Sequence, residues 1–274
     1  MYEVYGVIGD PVSHSLSPIM HNLAFKEKNV KAVYGAFKVR PSDLAKAVEG
    51  IRALNIKGVS VTIPHKEKII EYLDEIDEIA QEIGAVNTIL NKEGILKGFN
   101  TDWIGVLKAF EENGVKLKDK KVVVIGAGGA SKAVIYALIK GGAKKIYVYN
   151  RTFEKAKLLE KKFKITAKPW EELKKADGDI IIQATSVGLK SWETPVGEEI
   201  ISRFKVAMDI VYLPLKTKFL SLAERYGKII DGLQMLLYQG VEQFKIWTGM
   251  EPPLELMKKA IYEEAKNLEK EILK

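Results

Sequence analysis

Residues 9–22, GDPVSHSLSPIMHN, place Ser13, Ser15 and Ser17 at alternate positions just ahead of an expected helix. Hydroxyls gathered at the positive end of a helix suit a carboxylate, because free N–H groups and the dipole both favour an anion there. Capping alone would explain Ser17, a favoured N-cap before Pro18, but not Ser15. Three more polar clusters stand where short apolar runs end. They are Thr62 and Lys66 in SVTIPHK, Asn87 in GAVNT, and Asn100 and Asp102 in GFNTDW. A lone Lys, Asn or Asp in a loop carries no message. Three strand-end clusters converging on one domain edge predict a binding site.

The run KVVVIGAGGASKA, residues 121–133, carries a second chemistry. An apolar strand leads into Gly126, Ala127, Gly128, Gly129 and Ala130, and the helix SKAVIYALIKGG follows. In this context a glycine turn receives the pyrophosphate of a dinucleotide. Gly126 permits the tight turn, and Gly128 lets backbone approach the phosphates. The third fingerprint position is Ser131 rather than Gly or Ala, which predicts a helix packed slightly farther from its strand. The next strand end, YVYNRTFEK, decides the cofactor. Asn150 lies 22 residues after Gly128 (150 − 128), where NAD sites place a carboxylate for the ribose hydroxyls. Here Asn150 is followed by Arg151, Thr152 and Lys155. An arginine grips a 2′-phosphate with charge-assisted bonds, and no carboxylate repels it. NADP(H) is therefore the expected cofactor.

These groups need elements to hold them. YEVYGVIG, AVYGAFKV, GVSVTI and VNTIL read as strands, and Pro41 to Leu54 has helical spacing. WIGVLKAFEENG reads as a helix. From residue 115 the β–α alternation becomes regular, with VVVIG, KIYVYN, KITAK, DIIIQAT and VAMDIVY as strands. Near-continuous apolar strands belong to a parallel sheet covered on both faces. After KIID the chain reads as helical, first GLQMLLYQGVEQFKIWTG and then from Pro253 to the end. The expected architecture is two α/β domains. One is an N-terminal domain, residues 1–101, completed by the C-terminal helices, 238–274. The other is a doubly wound Rossmann-type domain, residues 102–237. Ligands of open α/β sheets bind beyond the carboxyl ends of the strands, so the active site is expected in the cleft between the two.

Composition removes other chemistries. The 274 residues include no cysteine, which excludes disulfides, thiolate metal sites and a cysteine nucleophile. The three histidines, His14, His21 and His65, have no ligand spacing, so no metal is expected. With 43 basic against 36 acidic residues the net charge is +7. The lysines alternate with glutamates along helices, as in EKAKLLEKKFK, which reads as a solvated face rather than a nucleic-acid surface. No apolar run is long enough for a membrane span, and the N-terminus lacks a secretory pattern, so the cytoplasm is the expected compartment.

Taken together, GDPVSHSLSPIMHN, SVTIPHK, GAVNT, GFNTDW, VIGAGGASKA, NRT, ATSVG and DGLQMLLYQG resemble the motif series of the shikimate dehydrogenase family, in order, from residue 9 to residue 240. The resemblance implies NADP-linked reduction of 3-dehydroshikimate to shikimate, in a substrate domain completed by the C-terminal helices. It implies that Ser15 and Ser17 hold the substrate carboxylate with Tyr212 nearby. Thr62, Asn87 and Gln239 would bond the ring hydroxyls. Lys66 and Asp102 would be the catalytic pair. Gly126 to Ala130, Asn150 to Lys155, Ile210 and Gly232 would line the cofactor. One motif departs: Gln183 stands where the family usually has Asn before ATSVG. Two rivals remain at this stage, a quinate/shikimate dehydrogenase of broader substrate and cofactor use and a ligand-sensing relative without turnover. Arg151 speaks against the first, and retention of Lys66 and Asp102 against the second. The partner expected is a small molecule, with neither nucleic acid nor membrane, and a homodimer is left open.

Overall fold

The computed structural model describes residues 1–272, the side chains of 271 and 272 excepted. In chain order it begins with strand β1 (Glu3–Gly9), helix α1 (Ser17–Glu27), strand β2 (Ala32–Lys38), helix α2 (Leu44–Ala53) and strand β3 (Gly58–Val61). Strand β4 (Glu75–Ile76), helix α3 (Glu78–Ile83), strands β5 (Thr88–Lys92) and β6 (Ile95–Phe99) and helix α4 (Asp102–Glu112) follow. Next come β7 (Lys121–Ile125), α5 (Gly129–Lys140), β8 (Lys145–Tyr149), α6 (Phe153–Phe163), β9 (Thr166–Lys168) and β10 (Ile180–Gln183). The chain ends with α7 (Glu198–Ile201), β11 (Val206–Asp209), α8 (Lys218–Ala223), β12 (Lys228–Ile230), α9 (Gly232–Thr248) and α10 (Leu254–Ile272). The last two residues of the expected C-terminal helix lie outside the described residues. Two compact units result: Met1–Asp102 with Gln239–Glu264, and Trp103–Tyr238 with the chain from Ala265 on.

The first unit is built on a mixed sheet of order β2-β1-β3-β5-β6-β4. β1 runs parallel to β2 and β3, whereas β5 is antiparallel to both β3 and β6. The β5–β6 hairpin was not legible as a pair of strands. Its two-residue turn is Glu93-Gly94, with φ of 55° and 89°, which is the sign pattern of the hairpin turns that match strand twist. Asn or Asp usually fills the first of these positions. Here the Asn91 side chain supports the turn from outside it, accepting from the Gly94 N–H at 2.9 Å. One face of the sheet packs Ile8, Val59, Val61 and Ile89 against Leu44, Val48 and Ile51 of α2. On the other face Tyr5 meets Phe25 and Trp247, with ring centroids 4.9 and 5.5 Å apart. Each large side chain so buried contributes about 1.5–3 kcal/mol. At the edge of the sheet, Val33 and Phe37 of β2 remain exposed. The Phe37 ring lies where side chains at Gly6 and Gly35 would stand.

The second unit has the all-parallel sheet expected of its apolar strands, in the order β12-β11-β10-β7-β8-β9. Strand order reverses between β7 and β10, the switch point of a doubly wound fold. Val122 and Val124 of β7 join one core, which includes Val134 and Leu138 of α5. Val123 and Ile125 join the opposite core, with Ile200 and Phe219 from α7 and α8. Both faces are thus covered, which is why the strands carry no polar alternation. KII, residues 228–230, proves to be a sixth strand rather than the approach to a helix, and the VAMDIVY strand ends at Asp209.

Two glycines of the loop after β7 differ in kind. Gly126 has φ of 118°, and a Cβ there would stand 2.7 Å from the Ala184 carbonyl oxygen. Gly128 has ordinary extended backbone, φ −94° and ψ −172°, and a Cβ there meets nothing within 4 Å. Gly126→Ala should therefore lower the melting temperature by about 4 °C or more. Gly128→Ala should leave it within about 1 °C. Thermal melts of the two variants check the contrast, and equal losses would contradict it.

Candidate active site

Because β5 runs against its neighbours, the ends of β1, β3 and β6 and the start of β5 share one edge of the first sheet. The sequence clusters meet there. The Asn87 carbonyl accepts from the Val61 N–H at 2.7 Å, and its own N–H donates to the Phe99 carbonyl at 3.0 Å. The Lys66 carbonyl accepts from the Val86 N–H at 2.8 Å, which ties the loop after β3 to the start of β5. Thr62 is half-buried beside it, its carbonyl accepting from the His65 N–H at 2.9 Å.

The Lys66 Nζ lies 2.6 Å from Asp102 Oδ2, with side chains 13% and 4% exposed. Asp102 opens α4, where a carboxylate is favoured by the helix dipole. Its N–H is held by Asn100 Oδ1 at 3.0 Å, and Asn100 Nδ2 donates to the Ala85 carbonyl at 2.8 Å. The second oxygen, Oδ1, accepts from Asn87 Nδ2 at 2.9 Å. Asn87 cannot be flipped. Its Oδ1 accepts the Thr101 N–H at 2.8 Å, and a backbone N–H only donates. The Asn87 Nδ2 therefore also faces Thr101 Oγ1 at 2.9 Å and Gln239 Oε1 at 3.2 Å. The Lys66 ammonium carries three donors, and Asp102 is the one acceptor recorded for it among the described residues. Protons remain for an oxygen that arrives from outside.

The serines exchange the roles their spacing suggested. Helix α1 begins at Ser17 with Leu16 in the cap position, and no side chain caps it. Ser15 Oγ instead accepts from the Ser17 N–H at 3.3 Å. Ser17 is thus the first helical residue. Ser17 is buried, and its side chain pulls the Tyr34 phenol down against the rise that burial causes.

Several residues of this site went unread in the sequence: Ser60, Thr101, Tyr34, Gln243 and Trp247. Gln243 donates to the Asn87 carbonyl at 3.1 Å and to Thr88 Oγ1 at 3.0 Å, and it accepts from Ser60 Oγ at 2.8 Å. The Trp247 indole N–H donates to the Ile89 carbonyl at 3.0 Å. Gln239, Gln243 and Trp247 recur every fourth residue, one stripe of α9 laid along the start of β5. That spacing was the available signal.

In the second unit the expected cofactor residues follow the carboxyl ends of parallel strands. Gly126 to Ala130 follow β7, Asn150 to Lys155 follow β8, Ile210 follows β11, and Gly232 follows β12; Tyr212, expected at the substrate, also follows β11. Ser131, at the third fingerprint position, is spent inside the protein. It is fully buried, and its hydroxyl donates to the Ala184 carbonyl at 3.2 Å. Gly232 is required by packing, since a Cβ would stand 2.6 Å from the Ile210 carbonyl oxygen. Gln183 pins the next loop, its Nε2 donating to the Val187 carbonyl at 2.8 Å. Asn150 Nδ2 donates to the Thr152 carbonyl at 2.8 Å, while Arg151, Thr152 and Lys155 are exposed. Asp209, at the end of β11, is wholly buried and accepts from Thr217 Oγ1 at 2.7 Å and the Val211 N–H at 2.9 Å. Burial pushes its carboxyl up to about 7, against which the two hydrogen bonds pull. The fold holds this proton more tightly than the unfolded chain does. The group's contribution to stability therefore falls as pH rises from about 4 to about 7.

The chain is similar to known proteins along nearly its whole length. A family model described as the shikimate dehydrogenase substrate binding domain matches residues 7–89. One described as shikimate / quinate 5-dehydrogenase matches residues 108–204, and the shikimate 5'-dehydrogenase C-terminal domain matches residues 232–262. The shikimate dehydrogenase (NADP(+)) of Thermococcus kodakarensis is 48% identical over 266 residues, 95% of this chain and 96% of the relative. A solved shikimate dehydrogenase of Aquifex aeolicus superposes with a TM-score of 0.87 at 44% identity, covering 95% of this chain and 97% of that one. The shikimate 5-dehydrogenase of Thermus thermophilus, solved in complex with NADP(H) and shikimate, gives 0.87 at 37% identity, covering 97% and 99%.

His21 lies against this site, stacked on Tyr34 at 4.7 Å with the rings 19° apart. Its ring nitrogens have no partner of good hydrogen-bond geometry. Complete burial brings its pKa down to about 3, a weak pull from Gln243 acting the other way. The unfolded chain takes up this proton near pH 6.5 and the fold does not. Its contribution to stability is therefore full above about 6.5 and lost as pH falls toward 3. In an NMR titration the His21 ring signals should stay flat from about pH 8 to about 4.5. A midpoint near 6.5 would overturn this placement.

Proposed function

The chain belongs to the shikimate dehydrogenase family, and we propose on that premise that it performs the reversible NADPH-dependent reduction of 3-dehydroshikimate to shikimate. The observation that carries this reading is the Lys66–Asp102 contact of 2.6 Å, nearly shielded from water at the edge where the polar strand ends meet. Reduction of a ketone requires a proton at the oxygen. Lys66 donates it there and takes it back in oxidation, while Asp102 keeps the ammonium oriented. Ser15 and Ser17 hold the carboxylate, and Tyr212 of the second unit is the further substrate residue that the family resemblance assigns. Thr62, Asn87 and Gln239 bond the ring hydroxyls.

The residues of the second unit suit the cofactor. The space beside Gly128 is open, as the close approach of a pyrophosphate requires. Gly126, Ala127, Gly129 and Ala130 complete that turn at the start of α5. Arg151 is exposed and makes no ion pair among the described residues, and with Asn150, Thr152 and Lys155 it suits the 2′-phosphate. Ile210 and Gly232 line the remaining edge. Bound NADPH supplies the hydride for the carbonyl carbon. The cytoplasm is the compartment this reading assigns.

The direct test follows NADPH absorbance on addition of 3-dehydroshikimate. Lys66→Ala should lower kcat by about 10²–10⁴-fold with little change in shikimate affinity. Near-normal turnover of the folded variant would refute the assignment of Lys66. Arg151→Ala should raise the KM for NADP about tenfold to a hundredfold while leaving that for NAD nearly unchanged. Equal effects on the two cofactors would remove Arg151 from the 2′-phosphate site.

A further inference from the structure

Gln243 has no part in the reading above, yet its bonds fix the direction of a whole chain of hydrogen bonds. A backbone carbonyl carries no hydrogen, so the atom facing the Asn87 carbonyl at 3.1 Å must be the Gln243 amide nitrogen. Its oxygen is then the atom facing Ser60 Oγ at 2.8 Å, and the Ser60 proton is committed to it. The 2.6 Å bond between Ser60 and Tyr34 can therefore only be donated by Tyr34. With the phenol proton spent, the Tyr34 oxygen can only accept, so the buried Ser17 side chain that acts on it can meet it only as a donor. On the other side the amide nitrogen also donates to Thr88 Oγ1 at 3.0 Å, and Thr88 donates to Asn87 Oδ1 at 2.8 Å, the atom that the Thr101 N–H fixes as the oxygen. This leaves Asn87 Nδ2 facing Asp102. Both ends of the chain are residues assigned above to the substrate.

We infer that Gln243 is a positioning residue of this reaction, one whose single amide holds the Asn87 backbone at the catalytic end and sets the donor and acceptor sense of the Ser60–Tyr34 pair beside Ser17 at the carboxylate end. The inference rests on the function proposed above. Ser17 turns its proton from a neutral phenol to the carboxylate when substrate arrives, exchanging a weaker acceptor for a stronger one. Tyr34 loses nothing by this, because its own proton stays on Ser60. Asn87 meanwhile keeps its nitrogen toward Asp102 whatever enters the site.

The polarity is tested by Gln243→Glu, which keeps the shape. When ionised the introduced carboxyl cannot donate to the Asn87 carbonyl, and when protonated it can. The variant should lose at least about tenfold in kcat/KM for shikimate at pH 8 and regain most of it as pH falls, beyond any change in the wild-type profile. The KM for NADP should stay within about twofold. Ser60→Ala and Tyr34→Phe break the same chain with smaller changes. Each should raise the shikimate KM severalfold, and the double variant should be little worse than either alone. A Gln243→Glu enzyme with wild-type shikimate kinetics and pH profile overturns the inference. Should that variant fail to fold, silent or additive effects of Ser60→Ala and Tyr34→Phe overturn it equally. A wild-type chain that does not oxidise shikimate overturns the proposed function as well, whereas an active wild type with indifferent variants overturns this inference alone.

Discussion

A carboxylate held 4% exposed must have both oxygens engaged, because taking an ion out of water costs several kcal/mol unless charge and hydrogen bonds replace the lost hydration. Asp102 meets this condition with Lys66 on one oxygen and Asn87 on the other. The rest of the first unit follows from that requirement. Lys66 must come from the loop after β3 and Asn87 from the start of β5. Asp102 itself must come from the end of β6. Only a sheet in which β5 reverses direction brings those three points to one edge. An all-parallel sheet would send the start of β5 to the opposite side.

The second unit solves a different problem with a different sheet. Here all six strands agree in direction, so every connection after a strand opens on the same edge. The edge is tightened from within. Gly126 and Gly232 exist because backbone carbonyls of Ala184 and Ile210 stand where their side chains would be. Ser131, Gln183 and Asp209 spend buried polar groups on the loops of that same edge. Gly128 alone among these positions answers to nothing inside the protein.

The two alternations of pattern were legible because burial on both faces leaves an unbroken apolar run, as in VVVIG, and because runs end where polar residues begin. Thr62, Lys66, Asn87 and Asp102 were found in that way. The β5–β6 hairpin was not, since Glu93-Gly94 lacks the usual Asn or Asp and the support comes from Asn91. Gln243 was missed for a deeper reason. A glutamine in a helix normally reads as solvated, and only the fold reveals a strand whose carbonyls it can reach. The serines show the same limit. Ser15 and Ser17 were identified, but which of them bonds the backbone depends on where the first helical turn starts, and a one-residue shift exchanges them.

Phe37 and the two glycines beneath it bear on the solution behaviour of the molecule. An open edge strand of seven residues is a template on which another chain can pair. A flat apolar edge would make β2 an invitation to self-association. Instead the ring of Phe37 turns back over Gly6 and Gly35 and covers the bare stretch of its own sheet. Beside it, Lys38 faces Asp10 at 3.5 Å and places charge at the end of the strand. The glycines thus give the ring a seat on the face of its own sheet, while the backbone edge of β2 stays open. A side chain at Gly6, whose Cβ would stand 2.4 Å from the ring, would push it off the sheet and bare more apolar surface beside an open edge.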